Sequence, residues 1–222
     1  MQSPIALNSK SRLRITVIFH ALQGESNRVG LPTVFIRLTG CPLRCGYCDT
    51  SYAFKGGEWM SLAQIKAVVE SYQTGYVTVT GGEPLAQEAC SELLTLLCDD
   101  GYRVSLETSG AMDISGVDPR VVRVMDIKTP ASGEAERNLY QNIEQLNPHD
   151  QVKFVVCNEA DYQWSRQLLR DHDLESRCEI LFSPVNGTQD PTQLAEWILR
   201  DRLNVRFQIQ LHKYLWGNVG GK

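Results

Sequence analysis

Three cysteines carry most of the chemistry this chain can offer. They lie in Gly40-Cys41-Pro42-Leu43-Arg44-Cys45-Gly46-Tyr47-Cys48-Asp49-Thr50, a C-x3-C-x2-C spacing. Three thiolates on so short a loop can hold three corners of a cubane iron–sulfur cluster. A structural zinc site or an ordinary ferredoxin cluster asks for four ligands. No fourth cysteine follows within forty residues; the next is Cys90. The spacing therefore points to a cluster with one iron left open to bind a substrate or cofactor. The competing reading is a zinc loop completed by a distant His, or three unrelated thiols.

Further polar groups fall where strands are expected to end. Thr80-Gly81-Gly82-Glu83-Pro84 follows one apolar run. Its paired glycines let backbone approach a ligand closely, and the proline fixes Glu83. Carbonyls exposed there can accept hydrogen bonds from an ammonium group. Glu107-Thr108-Ser109-Gly110 offers a carboxylate suited to ribose hydroxyls, and Asp126-Ile127-Lys128 and His212-Lys213 end later runs. Each has a bland alternative: a plain turn, a solvated acid, an exposed lysine, surface residues near a tail. Coincidence of the cysteine loop with the Gly-Gly-Glu-Pro turn favours the functional reading.

The elements that must position these groups follow from periodicity. Arg14–Phe19 and Thr33–Leu38 read as strands with no helix between them. Ser61 and Gln64 form a capping box opening a helix to about Tyr72. Strands are expected at 76–79, 103–107, 121–126, 152–156, 179–182 and 205–211. Helices are expected at 85–100, stopped by Gly101, then at 134–146, 161–171 and 190–202. That is eight strands, mostly alternating with helices, which means βαβ units and a parallel sheet. The fold expected is an α/β, incomplete (β/α)6-type barrel with an N-terminal β extension. A doubly wound open sheet is the competitor, although no G-x-G-x-x-G follows the first strand. One domain spanning 1–222 is expected, with residues 1–12 flexible.

Composition removes several function classes. Apolar residues make up 42% and charged residues 22% of the 222, which suits a globular core. A net charge of −4 without basic blocks argues against nucleic acid. No apolar run reaches the roughly 18 residues needed to span a membrane, and Met1–Arg14 lacks the apolar core of a signal peptide. Seven cysteines, three on one loop, fit a reducing cytoplasm better than a disulfide framework. Cys90, Cys98, Cys157 and Cys178 read as small buried hydrophobes.

The cysteine loop resembles that of the radical S-adenosylmethionine (radical SAM) enzymes. Leu22-Gln23-Gly24-Glu25, Phe35-Ile36-Arg37-Leu38, the cysteine loop, Cys48-Asp49-Thr50, Thr80-Gly81-Gly82-Glu83-Pro84, Glu107-Thr108-Ser109-Gly110 and His212-Lys213-Tyr214 run in the order seen in the 7-carboxy-7-deazaguanine synthases. The resemblance reaches from about residue 17 to 216. It implies a [4Fe-4S] cluster on Cys41, Cys45 and Cys48, whose open iron chelates the amino and carboxylate groups of SAM. It implies SAM contacts at Tyr47, Gly82, Glu83, Glu107, Asp126, Ile127 and Lys128. Substrate contacts are implied at Leu22, Gln23, Gly24, Glu25, Arg37, Thr80 and His212, and a magnesium ion at Thr50.

The implied reaction converts 6-carboxy-5,6,7,8-tetrahydropterin to 7-carboxy-7-deazaguanine with loss of ammonia, on the route to queuosine. The residues suit it. A pterin carboxylate asks for a bidentate cation such as Arg37. A pterin edge of donors and acceptors suits Gln23, Glu25 and the backbone at Leu22 and Gly24. An electron donor such as flavodoxin or ferredoxin, a homodimer and a cytoplasmic location are implied as well. Three features depart from the family pattern. Ser26 replaces the last glycine of Gln-Gly-Glu-Gly, Asp126-Ile127-Lys128 replaces Ser-Pro-Lys, and a tail runs from Trp216 to Lys222. The rival functions are a glycyl-radical activase and a non-enzymatic iron–sulfur or zinc module.

Overall fold

The computed structural model describes residues 11–217 and 219–221. The segment expected to be flexible lies outside the described residues except at its end, where Arg12 already opens a strand. Nine strands form one open sheet in the order β3-β1-β2-β4-β5-β6-β7-β8-β9. β1 (Arg12–Leu22) and β2 (Pro32–Leu38) pair antiparallel, with Ile18 opposite Ile36. β3 (Glu58–Ser61) adds antiparallel to β1 at the edge. From β2 onward every pairing is parallel, through β4 (Tyr76–Gly81), β5 (Arg103–Thr108), β6 (Val122–Ile127), β7 (Gln151–Val156), β8 (Glu179–Pro184) and β9 (Arg206–Phe207). This is the incomplete barrel with its N-terminal β extension, left unclosed.

Four helices of ten residues or more cover the sheet: α1 (Leu62–Ser71), α2 (Cys90–Asp99), α3 (Glu159–Asp171) and α4 (Pro191–Asp201). The capping box of α1 forms, with Ser61 N–H donating to Gln64 Oε1 at 2.8 Å. Asp190 caps α4 ahead of its proline, accepting from Thr192 N–H at 2.9 Å. α2 buries Cys90, Leu93, Leu94 and Leu97, the i, i+3, i+4, i+7 stripe of an amphipathic helix. That stripe joins Ile36, Val79, Leu106 and Phe154 in the core. Truncating a fully buried leucine such as Leu94 to alanine would cost about 2–5 kcal/mol. No described helix is long and apolar enough to cross a membrane.

The structure departs from the sequence expectation in several places. β3 has no counterpart among the expected strands, because four edge residues carry little periodicity. The helix expected at 85–100 begins only at Cys90; Pro84–Ala86 forms a 3-10 turn instead. No helix forms over 134–146, where short 3-10 turns at Ala135–Arg137 and Tyr140–Gln145 take its place. There Asn142 donates to the Gly110 and Met112 carbonyls and accepts from Ile114 N–H, and Asn138 bonds the backbone of Lys128. These amides bind the segment to neighbouring loops rather than to itself. The last strand stops at Phe207, since buried Gln208 accepts from Ser26 N–H at 2.9 Å. His212 consequently sits on a short helix, α5 (Leu211–Trp216), and not at a strand end.

Candidate active site

A cavity of about 740 Å³ opens at the C-terminal ends of the parallel strands. It gathers Leu22, Gln23, Gly24, Glu25, Arg37, Cys41, Cys45, Tyr47, Cys48, Thr50, Thr80, Gly82, Glu107, Asp126, Lys128 and His212. Of the residues singled out from sequence, Glu83 and Ile127 do not line it.

The cysteine loop forms one wall. Gly40 takes φ +97°, which turns the chain out of β2. Gly40 N–H donates to Ala53 O, and Gly46 N–H to Ser132 O at 3.0 Å. Arg44 donates to the Cys41 and Leu43 carbonyls at 2.7 and 2.6 Å and lies over the Phe54 ring. All three thiols are free and half-buried. Leu43 N–H already points at Cys41 Sγ, 3.4 Å away. Burial pushes the Cys41 and Cys45 thiols up, a shift that bound metal reverses by taking them as thiolates. A cubane meets its ligands at separate corners, and three free thiols on one loop suit such a cluster.

The Gly-Gly-Glu-Pro turn packs directly behind that loop. A Cβ on Gly82 would stand 2.1 Å from the Gly40 oxygen, and one on Gly81 2.4 Å from the Leu38 oxygen. Both glycines are required by close approach. Glu83 is fully buried and its carboxylate is occupied. It accepts from the Thr108 hydroxyl at 3.0 Å, from Ser109 N–H at 2.7 Å and from Leu85 N–H at 3.0 Å. Glu83, expected among the SAM contacts, uses its carboxylate to fasten the turn to the end of β5. The Ile127 side chain is likewise packed in the core, leaving only its backbone near the site.

The opposite wall is polar. Gln23 Nε2 donates to Thr78 Oγ1 at 3.2 Å, and Thr80 donates to Glu107 Oε2 at 2.8 Å. The Arg37 guanidinium lies 5.9 Å from the centroids of both Phe19 and Tyr52, and its buried Nε has no protein partner. Tyr47 likewise has a buried hydroxyl without a partner, and burial pushes its phenol up. Ser26 holds φ +69°, where a glycine is easier. Gln208 accepting from its N–H, and its own hydroxyl accepting from Arg28 N–H at 3.2 Å, hold it there.

α5 closes the cavity from the far end of the chain. Leu211 N–H donates to Gly24 O at 3.0 Å, and a Cβ on Gly24 would stand 2.1 Å from His212 Nδ1. Lys213 pairs with Asp49 at 3.0 Å, and Gln210 donates to the same carboxylate at 3.3 Å. Burial lowers His212 against the opposing pull of Glu25 and Asp49. Gly217, Val219, Gly220 and Gly221 complete this side, which gives the tail a place at the cavity.

One central residue was missed. Lys153, in the middle of β7, bonds Glu25 Oε2 at 2.7 Å and lies 3.3 Å from Asp126 Oδ2. The signal was there: a lone lysine in Gln151-Val152-Lys153-Phe154-Val155-Val156, where a buried parallel strand should be apolar.

The sequence matches the radical SAM superfamily over residues 35–126. It is 45% identical to the 7-carboxy-7-deazaguanine synthase of Chlorobaculum tepidum, over 95% of this chain and 97% of that one. It is 42% identical to the enzyme of the same name from Koribacter versatilis, over 92% and 97%. Among solved structures it resembles QueE from Escherichia coli with a TM-score of 0.77 at 26% identity, over 90% of this chain and 95% of that one.

Proposed function

The chain belongs to the 7-carboxy-7-deazaguanine synthase family of the radical SAM superfamily, and on that premise we propose how its cavity shares out the work. It is a radical SAM lyase of queuosine biosynthesis. Its substrate on this reading is 6-carboxy-5,6,7,8-tetrahydropterin, rearranged with loss of ammonia to 7-carboxy-7-deazaguanine. When bound, the cluster and SAM together supply a 5′-deoxyadenosyl radical able to take hydrogen from the pterin.

The residues of the chain bind and orient. Cys41, Cys45 and Cys48 hold the cluster, with the Leu43 N–H supporting one sulfur. Tyr47, Gly82 backbone, Glu107, Asp126, the Ile127 backbone and Lys128 are the SAM-facing set, with Glu83 holding the turn from behind. On the other wall Arg37 takes the pterin carboxylate. A fixed guanidinium binds a carboxylate through two parallel hydrogen bonds, where a lysine offers a point charge. Gln23, Glu25, Thr80, His212 and the backbone of Leu22 and Gly24 receive the heterocycle. The Thr50 hydroxyl would hold magnesium, a hard cation that prefers oxygen and would supply positive charge beside the substrate carboxylate. Enclosure excludes water and holds the reacting atoms in register.

One observation carries this reading: a half-buried Arg37, whose buried Nε has no protein partner, shares its cavity with three free thiols. An activase acting on a protein glycine would have no use for a carboxylate clamp there. The reductant, a flavodoxin or ferredoxin, and a homodimeric state rest on the family resemblance. Free thiols at all the cysteines suit a reducing cytoplasm. Anaerobic incubation of reconstituted protein with SAM, reductant and the carboxytetrahydropterin tests the assignment. Deazapurine and ammonia should form together. SAM cleavage without either product would reject the substrate and leave only the superfamily.

A further inference from the structure

We propose that Lys153 is a positioning residue for substrate recognition, holding the Glu25 carboxylate with one oxygen free to accept N–H groups of the pterin edge. The inference rests on the substrate assignment above and goes one step behind it. Lys153 rises from β7 into the cavity, on a different element from every expected substrate contact. Its ammonium takes Glu25 Oε2 at 2.7 Å and stands 3.3 Å from Asp126 Oδ2, which also meets Lys128 at 3.1 Å. Glu25, Lys153, Asp126 and Lys128 thus form a row of alternating charge across the cavity floor. The row is unfinished at two atoms: Glu25 Oε1 and Asp126 Oδ1 are buried and accept nothing from the protein.

A buried carboxylate oxygen without a donor is costly, so it marks a place where something else supplies the proton. A heterocyclic amidine edge, with its amino and ring N–H groups, is the donor this site lacks. Lys153 makes that arrangement stable by fixing the Glu25 rotamer through Oε2, which leaves Oε1 to the ligand. The charged and titratable groups around Glu25 come from four further elements. Lys153 stands on β7, Asp126 and Lys128 at the end of β6, Glu107 on β5 and His212 on α5. Of the two lysines, Lys128 pairs with Asp126, and Lys153 is the one that bonds Glu25.

Lys153→Met tests this, with Lys153→Arg retaining the charge and Glu25→Gln and the double variant Glu25→Gln/Lys153→Met completing the set. The measurements are equilibrium binding of 6-carboxypterin by fluorescence quenching, steady-state KM and kcat from pH 6 to 9, and substrate-independent SAM cleavage. Lys153→Met should weaken carboxypterin binding and raise KM about tenfold or more near neutrality, the loss of a charge-supported hydrogen bond. Lys153→Arg should keep most of the binding, and Lys153→Met should add little on the Glu25→Gln background. Cluster absorbance should stay at wild-type level in Lys153→Met, and uncoupled SAM cleavage should fall less than carboxypterin binding, since Asp126 keeps Lys128. A Lys153→Met enzyme with unchanged binding, or with an equal loss in uncoupled cleavage, overturns the proposal. Wild-type protein that binds carboxypterin more tightly than Lys153→Met yet makes no deazapurine would defeat the substrate assignment and leave Lys153 its role. Wild-type protein that binds no carboxypterin would defeat both.

Discussion

Replacing Gly82 with alanine probes how the Gly-Gly-Glu-Pro turn holds the cysteine loop. The added Cβ would lie 2.1 Å from the Gly40 oxygen, 2.6 Å from the Gly40 carbonyl carbon and 2.8 Å from Cys41 Cβ. Carbon–oxygen contacts of this kind settle near 3.3 Å, so the two backbones must part by about 1 Å. The obstacle is main chain, and no rotamer relieves it. Parting stretches the Glu83 N–H bond to Gly40 O, now 2.8 Å, and the Gly82 N–H bond to Leu38 O, now 3.2 Å. Overpacking costs about 1–3 kcal/mol and each hydrogen bond lost about 1 kcal/mol, for a total of about 2–5 kcal/mol. At about 2–4 °C per kcal/mol for a chain of this size, the melting point should fall by roughly 5–15 °C. Cys41 moves with the loop, so iron and sulfide per protein after anaerobic reconstitution should drop as well. Thermal melting and iron analysis on the same preparation check both. An alanine variant that melts with wild type and carries a full complement of iron would show that the turn does not brace the loop.

Other substitutions separate stability from binding. Gly24→Ala meets a side chain instead, His212, which can swing away; we expect a near-normal melting point but a raised pterin KM, and a large loss of stability would contradict this. Arg37→Ala should weaken substrate binding by roughly 2–4 kcal/mol while sparing slow SAM cleavage without substrate, since a charged hydrogen bond to carboxylate is lost. Equal loss of both activities would indicate misfolding. Thr50→Val should lower turnover at limiting magnesium, and an unaltered magnesium titration would remove Thr50 from the metal site. Asp49 tests the α5 latch by pH: burial raises its carboxyl, but Lys213 outweighs that and holds it below the ordinary value. Such a group stabilises above its unfolded value near 4 and ceases to as pH falls through the folded one. Protection of the 211–216 amides, measured against their intrinsic exchange rate at each pH, should therefore be high at pH 7, fall in strong acid, and be low at pH 7 in Asp49→Asn. Identical exchange in the two proteins at pH 7 would refute the latch.

What could be read from residues alone was local. The cysteine spacing, the capping box at Ser61 and the paired glycines each fit within a dozen residues, and each survives in the structure. What escaped depends on contacts between distant segments. Glu83 looked like a ligand because its neighbours in sequence are ligand-like, while its carboxylate is bound by Thr108 and Ser109 from another strand. Residues 134–146 carry helical spacing, but Asn142 bonds Gly110, Met112 and Ile114 and the helix never forms. Lys153 is invisible to motif reasoning because its partner Glu25 is 128 residues away. Tertiary partners overrule local preference in all three cases.

The meeting of Leu211 with Gly24 also bears on biosynthesis. The sulfur-bearing loop leaves the ribosome early, together with the hairpin that carries it. The wall that encloses it is made last. Through most of translation the thiols have no roof, and contacts of such long sequence separation form slowly. Iron delivered before α5 docks would meet thiols that lack that wall.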